Sequence, residues 1–118
     1  MRQYNLFLKD IIEAIGKIKS YTFDLDVEDF KSNTMFIDAC LRNLEVIGEA
    51  TSNIPEEIKQ RYKEIPWIEI KDFRNVVIHK YFSVDIDILW NIIENKLDSL
   101  KEQIQKILTN ESKNRKPK

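Results

Sequence analysis

The strongest constraint on the fold lies in the last third of the chain, where Ile86, Leu89, Trp90, Ile93, Leu97, Leu100, Ile104 and Ile107 recur at steps of three, one, three, four, three, four and three. That rhythm puts all eight on one side of a helix of about six turns and on neither face of a strand. Such a rod cannot bury its stripe alone, so the remaining chain must supply partners. Tyr4, Leu8, Ile11, Ile15 and Ile18 form a second stripe. Phe30, Ile37, Leu41, Leu44 and Gly48, widened by Cys40 and Ile47, form a third, read as one helix from Val27 to Thr51 with Asp26 as its N-cap. Trp67, Ile70, Phe73 and Val77 form a fourth, in which Trp67 reads as a core anchor.

Two glycines and three prolines in 118 residues leave too few turn formers for a β-sandwich. The expected fold is therefore all-α: an antiparallel four-helix bundle with one additional short helix, which Pro55 opens and Glu56 and Glu57 favour at its positive end. A chain of this size buries roughly 65% of the surface it exposes when unfolded, so no disulfide or metal is needed to hold it. Residues 1–110 are expected to form the domain, and 111–118 a basic, disordered tail that serves as a solubilising end or as an arm gripping RNA. Gly16 marks either a close approach of another backbone or an ordinary surface position. Ile88 and Ile92 widen the last stripe beyond one seam, as a subunit interface would, and a twofold dimer is the commonest way to cover it.

The net charge of −1 argues against a general polyanion binder, so any nucleic-acid contact must come from local charge. One such place runs from Lys71 to Tyr81, where Lys71, Arg74 and Lys80 outnumber Asp72. The lone Cys40 excludes an internal disulfide, fits a reducing cytoplasm and reads as an inert buried thiol. No apolar run approaches a membrane span and no signal-peptide core follows the first residues, so a cytoplasmic location is expected. With one histidine, no cysteine pair and no glycine-rich phosphate loop, metal and nucleotide cofactors rank low.

The chemistry available is concentrated in Arg74, Asn75, His79, Lys80 and Tyr81. Arginine offers a permanently charged fork for a phosphodiester, and histidine moves protons near neutral pH. Together they could cleave RNA with the ribose 2′-OH as nucleophile, His79 transferring a proton and Arg74 neutralising charge on the phosphorane. On one straight helix, however, Arg74 and His79 point about 140° apart. A shared target needs a bend near His79 or a second copy of the motif opposite, and a dimer would also supply the second histidine that an acid and a base require. Arg42, Glu45 and Glu49 share one face of their helix, either as an exposed ion-pair ladder or as support for the basic groups, with Glu45 or Glu49 orienting one of them. The plain alternatives are an Arg74 paired with Asp72 or a glutamate, and a Tyr81 that only packs its ring.

The spacing Arg74, four residues, His79, one residue, Tyr81 resembles the signature of HEPN-domain proteins, and specifically of HepT toxins encoded beside a minimal nucleotidyltransferase antitoxin. Ile47-Gly48-Glu49-Ala50, Ile65-Pro66-Trp67, Phe73-Arg74-Asn75, and Tyr81 to Asp85 leading into Leu89-Trp90 are similar to that family in the same order. The resemblance implies an all-α homodimer acting as a metal-independent endoribonuclease toxin. Arg74 and His79 would be catalytic, Asn75 the supporting polar residue, and Tyr81 the tyrosine to which the cognate antitoxin transfers AMP from ATP. Lys80 departs from the small or acidic residue expected between histidine and tyrosine, and would favour RNA attraction or antitoxin docking. The alternative is a non-catalytic helical binding partner of a nucleotidyltransferase.

Overall fold

The computed structural model describes residues 3–73 and 86–114, with side chains over 4–73 and 86–112. These residues form α1 (Gln3–Thr22), α2 (Val27–Lys31), α3 (Thr34–Ser52), α4 (Glu56–Arg61), α5 (Trp67–Lys71), α6 (Ile86–Asn95) and α7 (Leu97–Asn114). No strand occurs among them, so the fold is all-α and consistent with a helical bundle.

The centre of the arrangement is α1. Its stripe residues Leu8, Ile11, Ile15 and Ile18 are completely buried, and Ala14 joins them. It packs against both α3 and α7. Tyr21 stacks on Phe36 near the start of α3, with ring centroids 6.1 Å apart, while Phe7 and Asp10 face Ala50 and Asn53 at its end. Lys19 reaches Asp98 at 3.4 Å near the start of α7, and Tyr4 reaches Glu111 near its end. Both neighbours therefore run antiparallel to α1. From α3 the core receives Cys40, Leu44 and Ile47, and from α6 and α7 Leu89, Ile93, Leu97, Ile104 and Ile107, all fully buried. Burial of each such aliphatic side chain contributes about 1.5–3 kcal/mol relative to leaving it in water.

The third stripe is not one helix. Asp26 caps α2 as its sequence foretold, in a capping box with Asp29, but the helix stops at Lys31. Ser32 turns its hydroxyl onto the carbonyls of Glu28 and Asp29, and Asn33 caps a new helix by accepting from the Phe36 amide at 3.1 Å. Short polar side chains that bond the nearby backbone compete with the helix, and here two in succession end it. The break lets Phe30 swing into the core and pack against Trp90 of α6, with ring centroids 5.0 Å apart and the planes tilted by 41°.

The last stripe is interrupted at Lys96 but not broken. The Lys96 amide donates to Ile92 and the Leu100 amide to Lys96, so the helical path and the apolar face both continue. Ile92 is part of the chain's own core at 5% exposure, whereas Ile88 is 46% exposed, so only Ile88 retains the extra width expected of an interface residue. The helix also passes the boundary drawn at residue 110: α7 continues to Asn114, and Glu111 is buried. No helix among the described residues is long and apolar enough to cross a membrane.

Cys40 lies inside this core, and burial pushes its thiol pKa up to about 12. Gly16 faces no close neighbour, since a Cβ placed there would meet nothing within 4 Å. Its cost is then only the extra backbone freedom of the unfolded chain. Gly16→Ala should stabilise the protein by about 1 kcal/mol, raising Tm by about 4 °C in a thermal melt; a lower Tm would show that something does approach that side of α1.

Candidate functional site

The motif is reached through a short, well-fixed approach. After α4, Tyr62 and Ile65 turn inward, and Pro66 starts α5. Trp67 is buried as expected, and its indole N–H donates to the Tyr62 carbonyl at 3.0 Å. Ile70 and Phe73 follow it into the core, and α5 packs on α3. Phe73, the residue before Arg74, is 4% exposed. On the far side of the motif, α6 is tied down by Leu89 in the core, by Trp90 on Phe30, and by Lys31 against Asp87 at 3.3 Å. Arg74, Asn75, His79, Lys80 and Tyr81 themselves lie outside the described residues, as does Val77. The motif is thus flanked in sequence by core residues immediately before it and shortly after it.

Glu49 lies on the exposed side of α3 and lines an open groove of about 360 Å³ with Arg42, Glu45, Phe7 and Asp10. Arg42 and Glu45 form the expected surface pair at 3.6 Å, an interaction worth a few tenths of a kcal/mol. Three carboxylates and one guanidinium make this groove unfavourable for a nucleic-acid backbone. Among the described residues, no group of histidine, cysteine, aspartate and glutamate is placed to hold a metal ion.

A polar cluster that the sequence reading missed closes the opposite end of α7. Glu111 is 3% exposed, and its carboxylate accepts from Arg61 Nη1 at 2.7 and 2.8 Å and from the Tyr62 hydroxyl at 2.8 Å. The Tyr4 hydroxyl donates to it at 3.4 Å, and Glu57 holds the other end of the guanidinium at 3.0 Å. Burial alone would raise the glutamate pKa, but the hydrogen bonds from Arg61 and Tyr62 outweigh it and hold the carboxyl below its usual range. The same carboxylate raises the Arg61 pKa, and burial followed by the Glu111 bond raises that of Tyr62. A carboxylate with this many donors is fully committed, so its role is to fasten α1, α4 and α7 together. One signal could have found it: Glu111 continues the steps of Ile104 and Ile107 by four, on the buried line of the helix.

A helical protein that carries a polar Arg, His and Tyr motif between two core-fixed helices is the class defined so far. The chain belongs to the HepT-like family: the family model described as "Ribonuclease HepT-like" matches residues 11–107. Among curated relatives, a protein of Thermococcus cleftensis named "Probable ribonuclease HepT" is 40% identical over 106 residues, covering 90% of this chain and 96% of that one. A protein of Methanocaldococcus jannaschii named "Gamma-glutamylcyclotransferase and putative RNase" is 37% identical over 114 residues, 97% of this chain and 51% of that protein, so this chain spans about half its length. A "Putative RNase" of Caldanaerobacter subterraneus is 36% identical over 97 residues, 82% of this chain and 83% of that one. No solved structure matches.

The Glu111 cluster makes stability depend on acid in a definite direction. A carboxyl whose folded pKa lies below its unfolded value, about 4.3 for glutamate, contributes stability that is complete above that value and is lost as pH falls through the folded one. Glu111→Gln should therefore lower Tm at pH 7, and its deficit relative to the parent should shrink in melts below about pH 4. A deficit that stays constant with pH would show that the charge is not what matters.

Proposed function

We propose that this protein is the toxin of a HEPN and minimal-nucleotidyltransferase toxin-antitoxin pair, acting in the cytoplasm as a metal-independent endoribonuclease. The observation that carries the reading is the Arg74-x4-His79-x-Tyr81 pattern inside the region matched to a ribonuclease family. The names of the relatives support the same reaction class.

In this mechanism the ribose 2′-OH attacks the adjacent phosphorus and the 5′-oxygen leaves, giving a 2′,3′-cyclic phosphate and a 5′-hydroxyl. One His79 takes the 2′-OH proton, and the histidine of a second copy gives a proton to the departing oxygen. Arg74 stabilises the charge that builds on the phosphorane, where a fixed guanidinium is most effective. The site is a cleft between two copies of the chain, which answers both the single histidine and the 140° between Arg74 and His79 on one straight helix. Ile88, exposed on the helix that follows the motif in sequence, is consistent with such an interface. Asn75 and Lys80 support phosphate binding beside them, and Glu49 orients a basic group.

Tyr81 is the off switch. Its hydroxyl attacks the α-phosphorus of ATP on the antitoxin, releasing pyrophosphate and leaving AMP on the tyrosine. The added phosphate and nucleoside then oppose RNA by charge and by bulk.

Cleavage of unmodified RNA in the presence of a chelator should be lost in Arg74→Ala and His79→Ala, by about 100-fold or more, with melting curves unchanged. Equal cleavage by parent and variants would remove the nuclease reading and leave a non-catalytic partner of the nucleotidyltransferase. Incubation with that enzyme and ATP should raise the intact mass by AMP units in the parent and not in Tyr81→Phe.

A further inference from the structure

A second groove, of about 590 Å³, lies between α4 and α5. Lys59, Lys63 and Lys71 stand around it, and Trp67 and Ile68 contribute apolar surface. None of the three lysines takes part in an ion pair among the described residues, whereas most charged neighbours do. Glu69, which also borders the groove, is neutralised by Lys96 at 2.8 Å, and Glu57 nearby is held by Arg61 at 3.0 Å. Glu56 accepts from Gln60 and is the remaining acid of the lining. With Glu69 paired to Lys96, three lysines face the single charge of Glu56, so the groove carries a surplus of positive charge, in contrast to the acidic groove that contains Asp10, Glu45 and Glu49.

Two further features suit an extended polyanion with apolar faces. Ile68 is 78% exposed beside the lysines, offering a surface on which a base can lie. Lys71 precedes Arg74 by three residues, so their Cα atoms are at most ~11 Å apart whatever path the chain takes between them. A phosphate held at Lys71 is consequently one short step from the arginine assigned to catalysis.

We propose that the groove between α4 and α5 is the track along which single-stranded RNA enters the site, with Lys59, Lys63 and Lys71 contacting successive phosphates. The inference rests on the nuclease reading above. These contacts position the strand and carry no sequence information, so they set affinity and salt dependence and leave the choice of cleavage point to the site itself.

The test is anisotropy of a labelled, unstructured RNA oligonucleotide titrated with the full His79→Ala chain over a salt series. Replacing Lys59, Lys63 and Lys71 together by alanine should weaken binding about tenfold or more and flatten the slope of log affinity against log salt by about 2, at ~0.7 per single-strand phosphate contact. Replacing the same three by arginine should keep both. A control triple, Lys9→Ala with Lys17→Ala and Lys106→Ala, makes the same change in net charge on exposed positions of α1 and α7 and should have little effect. Equal losses in the groove triple and the control triple, or no binding by the His79→Ala chain, would overturn the proposal. Cleavage by the chain with its native His79, run in parallel, separates the two readings. No cleavage with groove-dependent binding counts against the nuclease alone, and cleavage that the groove triple leaves intact counts against the groove alone.

Discussion

Burial of Leu8, Ile11, Ile15 and Ile18 on a single helix obliges that helix to be flanked on more than one side, and α3 and α7 do so in antiparallel directions. Every other placement depends on this. Because α3 lies along α1, the face of α3 that receives α5 is fixed, and with it the position of Phe73 at the threshold of the motif. Because α6 leads into α7, the same seam sets where the chain re-enters the core after the motif. The motif therefore lies in sequence between two points fixed in the core, Phe73 before it and Leu89 after it.

The Arg61, Tyr62 and Glu111 cluster complements the apolar seam. Apolar stripes fix which faces meet but allow helices to slide along each other, since burial is not directional. A carboxylate gripped by a guanidinium and a phenol tolerates no such sliding, and it joins the end of α7 to α4 and, through Tyr4, to the start of α1. Removing a single partner would leave a buried charge or donor uncompensated, which is why such a group is more sensitive to substitution than its modest surface suggests.

The helices were legible because burial imposes a period that survives in the sequence, and Leu8 through Ile18 or Leu89 through Ile107 show it without ambiguity. Helix ends were less so. Ser32 and Asn33 sit in an otherwise continuous apolar pattern, and only the local competition between side chain and backbone reveals that they divide it. Ile92 read as surplus apolar width because a one-dimensional stripe does not show how much of a helix its neighbours cover. Glu111 read as the start of a solvated tail because a glutamate is ordinarily exposed; its partners lie 49 and 50 residues away, beyond any local pattern. For the site, the family was legible in Arg74, His79 and Tyr81, whereas the acidic character of the Glu49 groove emerged only once Asp10 of α1 was seen beside it.

The proposed cleavage needs a cleft shared by two chains, because each chain has one histidine and a straight helix would point Arg74 and His79 apart. Specific cleavage activity measured against protein concentration, alongside the mass of the species in solution, tests it most directly. Activity per chain should stay constant while dimer persists and fall in step with the dimer fraction as the protein is diluted. A diluted, monomeric sample that cleaves RNA at full activity per chain would contradict the shared site.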